Sequence, residues 1–271
     1  MDGAVNLKQQ KKPVLPRMKK YAGFYVLFLP VLAFLVVFHY LPMFGIYYSF
    51  TKYTIIKDPV WVGLANFERL FAMPNFWNAF QNTLELSVVK LLLTTTFSVV
   101  LSLLLNEMRN VVYKRTLQTL VYLPYFISWV ALAGIFLDVL SMDGVVNQLI
   151  TALGLEPVYF LGDERIFPYT MVVTDVWKNF GWNAIVYLAA ITSVDPSLFE
   201  AAYLDGAGRF RQVLHVTLPT IMPIIMLTTI LSIGNVLRAG FDQIFNLYSP
   251  LVYSTGDIID TFVYRLGILS A

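Results

Sequence analysis

The sequence predicts an all-α integral membrane protein, and three observations carry that expectation. Of 271 residues, 58% are hydrophobic and only 13% charged, whereas a soluble domain carries roughly 25% charged residues. Five apolar segments reach the length of about 20 residues that a helix needs to cross the hydrocarbon. Lysine and arginine gather in alternate loops, the asymmetry that orients membrane helices. Inside lipid a chain must satisfy its own backbone hydrogen bonds, so each spanning segment is expected as a helix.

The elements follow in order. Residues 1–20 form a basic tail with six Lys or Arg. The next run, about Ala22 to Tyr40, or to Phe50 past Pro42, is too long for the apolar part of a signal peptide. No small-residue cleavage site follows it, so it is read as a retained first helix. The stretch VWVGLANFERLFAMPNFWNAF is aromatic and amphipathic and suits a short interfacial helix. The second span is expected from about Leu84 to Leu105, and the third from Leu117 to Leu140. In SMDGVVNQLITALGLEP a short helix is expected, stopped by Gly154 and Pro157. The fourth span runs from about Tyr169 to Ile191, and the fifth from Pro219 to Phe245.

Arg109, Lys114 and Arg115 follow the second span, and Arg209 and Arg211 follow the fourth. The loop of residues 141–168 instead has Arg165 beside Asp143, Glu156, Asp163 and Glu164. The tail and the two basic loops are therefore expected in the cytoplasm. No repeat or linker divides the chain, so residues 21–271 are expected as one membrane domain.

Composition excludes several chemistries. There is no cysteine, hence no disulfide and no thiolate metal site. His39 and His215 are too few for a histidine cluster, and Asp143, Asp163 and Glu164 match no calcium-loop spacing. Net charge is +2, without a patch dense enough for nucleic acid. No catalytic residue and no cofactor of the chain's own are expected.

The stretch EAAYLDGAGRFRQVLHVTLP, from Glu200 to Pro219, lies between two spans. Ser197, with Glu200 three residues on, gives the capping-box pattern of a helix start after Pro196. Leu198, Phe199, Ala202, Tyr203 and Ala207 cluster on one side at helical spacing. Asp205, Arg209 and Arg211 keep the segment out of the hydrocarbon. Gly206 and Gly208 allow a bend or a close approach, and Leu218-Pro219 is expected to restart a helix. Such a short amphipathic helix between two spans suits docking of a soluble partner.

EAA, then three residues, Gly206, nine residues and Val216-x-Leu-Pro219 resemble the EAA signature of permease subunits of binding-protein-dependent ABC importers. The family favours isoleucine where this chain has Val216. KKYAGFYVLFLPVLAFLVVFHYLPM, LQTLVYLPYFISWVALAGIF and SPLVYSTGDIIDTFVYRLGI are similar to the oligosaccharide and polysaccharide branch of its sugar class. The resemblance implies a type I ABC importer transmembrane fold in a bacterial inner membrane. It implies coupling to a cytoplasmic ATPase through residues 197–219, chiefly Leu198, Phe199, Glu200, Ala201, Ala202, Tyr203, Asp205, Gly206 and Arg209. It further implies a second, related permease and an extracytoplasmic solute-binding protein. ATP and Mg belong to the ATPase, since this chain has no G-x-x-x-x-G-K-[ST]. The family also leads to the expectation of a further helix past Ala271.

Two polar constellations lie within the spans. Ser232, Asn235, Arg238, Asp242 and Asn246, stepping by three or four, form one stripe if the fifth helix is continuous. They are read either as a wall of the substrate path or as an Arg238–Asp242 pair that neutralises itself near the interface. Asp175, Asn179 and Trp182 share a face, with Asn183 beside them. Rings beside amides suit a sugar; the competing reading is an aromatic belt with Asp175 paired to Lys178. Glu85 and Lys90 are expected to pair within the bundle. His39 is read as interfacial, and His215 as packing or capping. Other readings are an importer of a non-sugar solute, a secondary transporter, and a membrane-embedded transferase. The last would need grouped carboxylates or histidines, and none are present.

Overall fold

The computed structural model describes residues 21–54 and 57–269, so the basic tail lies outside the described residues. The chain separates into two compact units, the first ending at Ala72 and the second beginning at Met73.

In the first unit, α1 (Ala22–Phe50) is a helical run of 29 residues. It passes through a π turn, Val36–Tyr40, just before Leu41-Pro42. A proline has no N–H to give, and a widened turn ahead of it absorbs the missing bond. A hairpin of β1 (Thr51–Thr54) and β2 (Lys57–Trp61) follows, so the fold is not wholly α. Aromatic residues hold it: Trp61 stacks on Phe50 at 5.5 Å. Helix α2 (Ala65–Phe71) falls within the predicted interfacial stretch, and its Asn66 side chain donates to the carbonyls of Ser49 and Thr51.

The second unit is built on two long helices, α3 (Pro74–Glu107) and α7 (Phe167–Thr192). Both begin with proline in the first turn, where the absent N–H costs nothing. Ser98 on α3 donates to the carbonyl of Phe180 on α7 at 2.9 Å. Gly181 lets α7 approach the backbone of Val121, whose carbonyl a Cβ would strike. Between them in sequence lie α4 (Val111–Tyr122), capped by Asn110, α5 (Trp129–Val139), capped by Ser128, and α6 (Val145–Ala152). Helix α6 is the predicted short helix, ended by Gly154 at φ +79°.

The expected third span is not one helix. At Leu123–Phe126 the chain narrows to a 3₁₀ turn holding Pro124, and the axis bends by 104°. The 11 residues of α5 cover only about 16 Å, short of the roughly 30 Å of hydrocarbon.

Helix α8 (Pro196–Leu204) turns 69° away from α7. Its cap is Asp195, not Ser197: Asp195 Oδ1 accepts the Ser197 N–H at 2.9 Å. Pro196 takes the first helical position, which makes the residue before it the cap. Nor does the chain wait for Leu218 to resume. Helix α9 (Arg209–Ile233) starts directly after Gly208 and carries a π turn, Val213–Thr217, before Leu218-Pro219.

The expected fifth span to Phe245 also breaks. Gly234 ends α9, a 3₁₀ turn follows at Val236–Arg238, and Ala239 and Gly240 are left-handed. Helices α10 (Phe241–Leu247), α11 (Tyr253–Gly256) and α12 (Ile259–Tyr264) complete the described chain. The main core joins Leu86, Phe167, Met171, Ile244, Val252 and Ile258. Among the described residues three helices (α1, α3 and α9) are long and apolar enough to cross a membrane, or up to five spans if each bent pair counts as one.

Candidate functional site

Helices α3, α7 and α9 enclose a cavity of about 490 Å³. From α7 come Asp175, Asn179 and Asn183; from α9 and its end come Thr228, Ser232 and Asn235; from α3 come Lys90, Thr94 and Thr95. Tyr187 on α7 and Thr228 on α9 bond hydroxyl to hydroxyl at 2.9 Å across it. A smaller recess of about 150 Å³ runs from Asp175 and Asn235 to Ala239 and Gly240. A cavity edged by amides, hydroxyls and one carboxylate offers both donors and acceptors to a polyhydroxylated solute.

Neither buried lysine makes the predicted ion pair. Lys178 gives its ammonium to the carbonyls of Pro124 (3.1 Å), Tyr125 (2.9 Å) and Ile127 (2.5 Å) rather than to Asp175. These oxygens lie where α4 gives way to α5; that of Pro124 also accepts the Ile127 N–H at 3.2 Å. Lys90 gives its ammonium to the Ala239 carbonyl at 2.9 Å and to Gln243 Oε1 at 2.6 Å. Glu85 instead accepts from Gln81, one turn back on α3. Each lysine thus donates to carbonyl oxygens at a helix break, where the helical ladder is interrupted. A lysine within an apolar run, in a chain that carries a proline or glycine break elsewhere, is a weak signal; Gln243 gave none.

The predicted stripe does not survive the break. Ser232 and Asn235 reach the cavity, while Arg238 and Asp242 stand outside it. They are not i and i+4 on one helix, because left-handed residues intervene. Asn246 donates to the Asp242 carbonyl. Trp182 also lies off the cavity: it stacks on Tyr125 at 4.5 Å with planes 3° apart, and Phe126 meets it edge-on. Asp163 accepts the N–H groups of Arg165 and Ile166, and no metal-holding cluster exists among the described residues. His215 bonds the Arg211 carbonyl one turn back, at 3.1 Å.

A second surface lies at the end of α3. Phe199 is half-buried against Ile191, Val194 and Ile221, and Ala202 is half-buried too. Leu198 and Tyr203 remain exposed, as do Glu200, Ala201 and Asp205. Leu204 and Phe210, which periodicity alone did not single out, are 85% and 75% exposed. Gly206 turns the chain at φ +78° with nothing within 4 Å of a Cβ placed there, so this chain contains no close approach at that point. A groove of about 560 Å³ runs between α8 and the α3 end, lined by Glu107, Arg109, Phe199, Tyr203, Arg209 and Gln212.

Apolar helices around a polar cavity, with a charged and apolar helix exposed at one end, define a membrane-embedded transport component. The chain belongs to the family of binding-protein-dependent transport system inner membrane components, whose pattern matches residues 98–241. It is a transport subunit rather than an enzyme, and ATP hydrolysis belongs to a separate chain.

Among its relatives is the polygalacturonan/rhamnogalacturonan transport system permease protein YteP of Bacillus subtilis (strain 168), 38% identical over 99% of this chain and 85% of that one. Protein LplB of the same organism is 40% identical over 93% of this chain and 80% of its own length. A solved bacterial ABC transporter involved in import of the acidic polysaccharide alginate has a chain that matches with a TM-score of 0.88 at 37% identity. The match covers 96% of this chain and 88% of that chain. The same transporter is also solved with its alginate pentasaccharide-bound periplasmic protein.

Proposed function

We propose that this chain is the permease subunit of an ATP-driven importer and that a saccharide passes along the cavity between α3, α7 and α9. One observation carries the reading: Asn179, Asn183, Ser232 and Asn235 face a common space of about 490 Å³, and amides and hydroxyls match sugar hydroxyls. The relatives named for polygalacturonan and alginate support an oligosaccharide, with uronic-acid-bearing fragments the first to test. A non-sugar solute is the alternative. Trp182, Arg238 and Asp242 are candidates for a wall completed by a second permease, related but different.

In this reading α8 is the coupling helix. Leu198, Tyr203 and Leu204 seat in a cytoplasmic ATPase, which alone holds ATP and Mg, while the opposite end receives the loaded binding protein. The chain crosses a bacterial inner membrane five times with its N-terminus in the cytoplasm; the tail's six cations support that orientation.

The test is uptake by the reconstituted complex. Asn235→Ala or Asn179→Ala should lower uptake at least about tenfold while the ATPase still co-purifies. Normal uptake in both would remove the cavity from the path. For orientation, Lys8→Cys and Gln212→Cys should react only with a membrane-permeant reagent and Asp163→Cys from outside; the reverse pattern overturns it.

A further inference from the structure

Resting on the cavity reading above, we propose that Lys90 is a positioning residue of the path. Its ammonium holds the chain break after α9 and thereby sets where Ser232 and Asn235 stand.

Ala239 and Gly240 have φ of 42° and 87°. Ala239 is the sole non-glycine residue with positive φ among the described residues, a conformation that persists only where surroundings enforce it. The enforcing contact is Lys90, whose ammonium takes the Ala239 carbonyl at 2.9 Å. Gly240 leaves room for it: a Cβ there would stand 3.3 Å from Lys90 Nζ.

The same ammonium binds Gln243 Oε1 at 2.6 Å. The other end of that amide donates to the Met171 carbonyl and to Thr174 Oγ1, both at 2.7 Å. Lys90, Gln243 and Thr174 are all buried. One lysine on α3 therefore ties the break, α10 and α7 together. Thr174 is the residue before Asp175, which lines the cavity from α7 as Ser232 and Asn235 line it from α9 and its end. The network sets the spacing between the two walls that would grip solute.

A methionine would fill the lysine's space without burying a charge. A charge in a membrane helix is costly and is kept where it has a role. Here it donates to two buried acceptors, one on each side of Gly240.

The chain has no cysteine, so Asn235→Cys is a clean reporter of the break in the assembled transporter. Lys90→Met added to Asn235→Cys should change the alkylation rate at position 235 by at least about tenfold. Lys90→Met alone should abolish most uptake, and Lys90→Arg should return both toward the unmodified values. If Lys90→Met does not accumulate in the membrane, Gln243→Leu carries the same measurement with the same expectation. Unchanged alkylation overturns the proposal. So does a change that Lys90→Arg does not reduce, which would mark lost volume rather than a lost donor. Failure of the path reading itself shows separately, as normal uptake in Asn235→Ala with the alkylation change intact.

Discussion

Arg209 and Glu107, 102 residues apart in sequence, meet at 2.8 Å and so tie the start of α9 to the end of α3. Their side chains are 62% and 41% exposed, and solvent screens such a pair, limiting it to about 0–1 kcal/mol. Arg209→Ala should therefore leave the melting temperature nearly unchanged. On the proposal that α8 and the start of α9 dock the ATPase, its effect should be on coupling, because the pair links that segment to a helix that lines the cavity. Transport-stimulated ATP hydrolysis should fall and recover in the charge swap Glu107→Arg with Arg209→Glu. A swap that fails to recover argues against the link.

Gly206 tests what a glycine is needed for. Its φ of +78° strains any L side chain, while the surrounding space is open. Forcing a residue with a Cβ into this region costs about 1–2 kcal/mol, and asparagine tolerates it best. Gly206→Asn should thus insert and assemble better than Gly206→Val. If Asn and Val both detach the ATPase in pull-down while the helices insert normally, the space is filled by the partner, and strain is secondary.

Gly181 is the contrasting case. It sits in α7 with φ in the ordinary helical range, but a Cβ would strike the Val121 carbonyl and side chain. Overpacking of this kind costs about 1–3 kcal/mol. Gly181→Ala should lower the thermal midpoint of the purified complex, and Gly181→Leu should abolish assembly. An unshifted midpoint in Gly181→Ala would mean that α4 and α7 are not in close contact.

Asp195 gives a pH dependence. The backbone N–H of Ser197, which it accepts, holds its carboxyl below the usual aspartate range. A folded value lower than the unfolded one means that the cap supports α8 at and above the usual range. The support fades as pH falls through the depressed value. Hydrogen-exchange protection in α8, the rate relative to the intrinsic rate at each pH, should be flat from neutral to mildly acidic pH and fall only in strong acid. Asp195→Ala should exchange fast throughout, and Asp195→Asn should remain slow in acid.

Much of this was legible in sequence, for identifiable reasons. The apolar runs and the charged stretch at Glu200 are local properties, and both reappear as helices in the predicted places. The breaks in the third and fifth apolar runs are not local. Pro124 and Gly234 were visible as break signals, yet an apolar run reads as continuous unless one knows where the freed carbonyls find donors. Here those donors are Lys178 and Lys90; the sequence reading pairs Lys90 with Glu85 and, in one of two alternatives, Lys178 with Asp175. The consequence reaches the site. A stripe drawn through Ser232, Asn235, Arg238 and Asp242 assumes one helical phase, and the phase is lost first at Gly234, between Ser232 and Asn235, and again at Ala239 and Gly240, between Arg238 and Asp242. Asp195 could have been found, since proline at 196 fixes the cap one residue ahead of it.

The π turn at Val213–Thr217 acts as a phase shifter in α9, between α8 and the cavity. A widened turn accommodates one residue beyond the α repeat, and one residue is about 100° of rotation. Removing a single residue there would let the turn relax to ordinary α geometry. The helix on its cavity side would keep its packing, while α8 would swing about the axis to face another direction. The direction in which α8 faces relative to Ser232 is in that sense encoded in the length of a five-residue segment, independent of which side chains it carries.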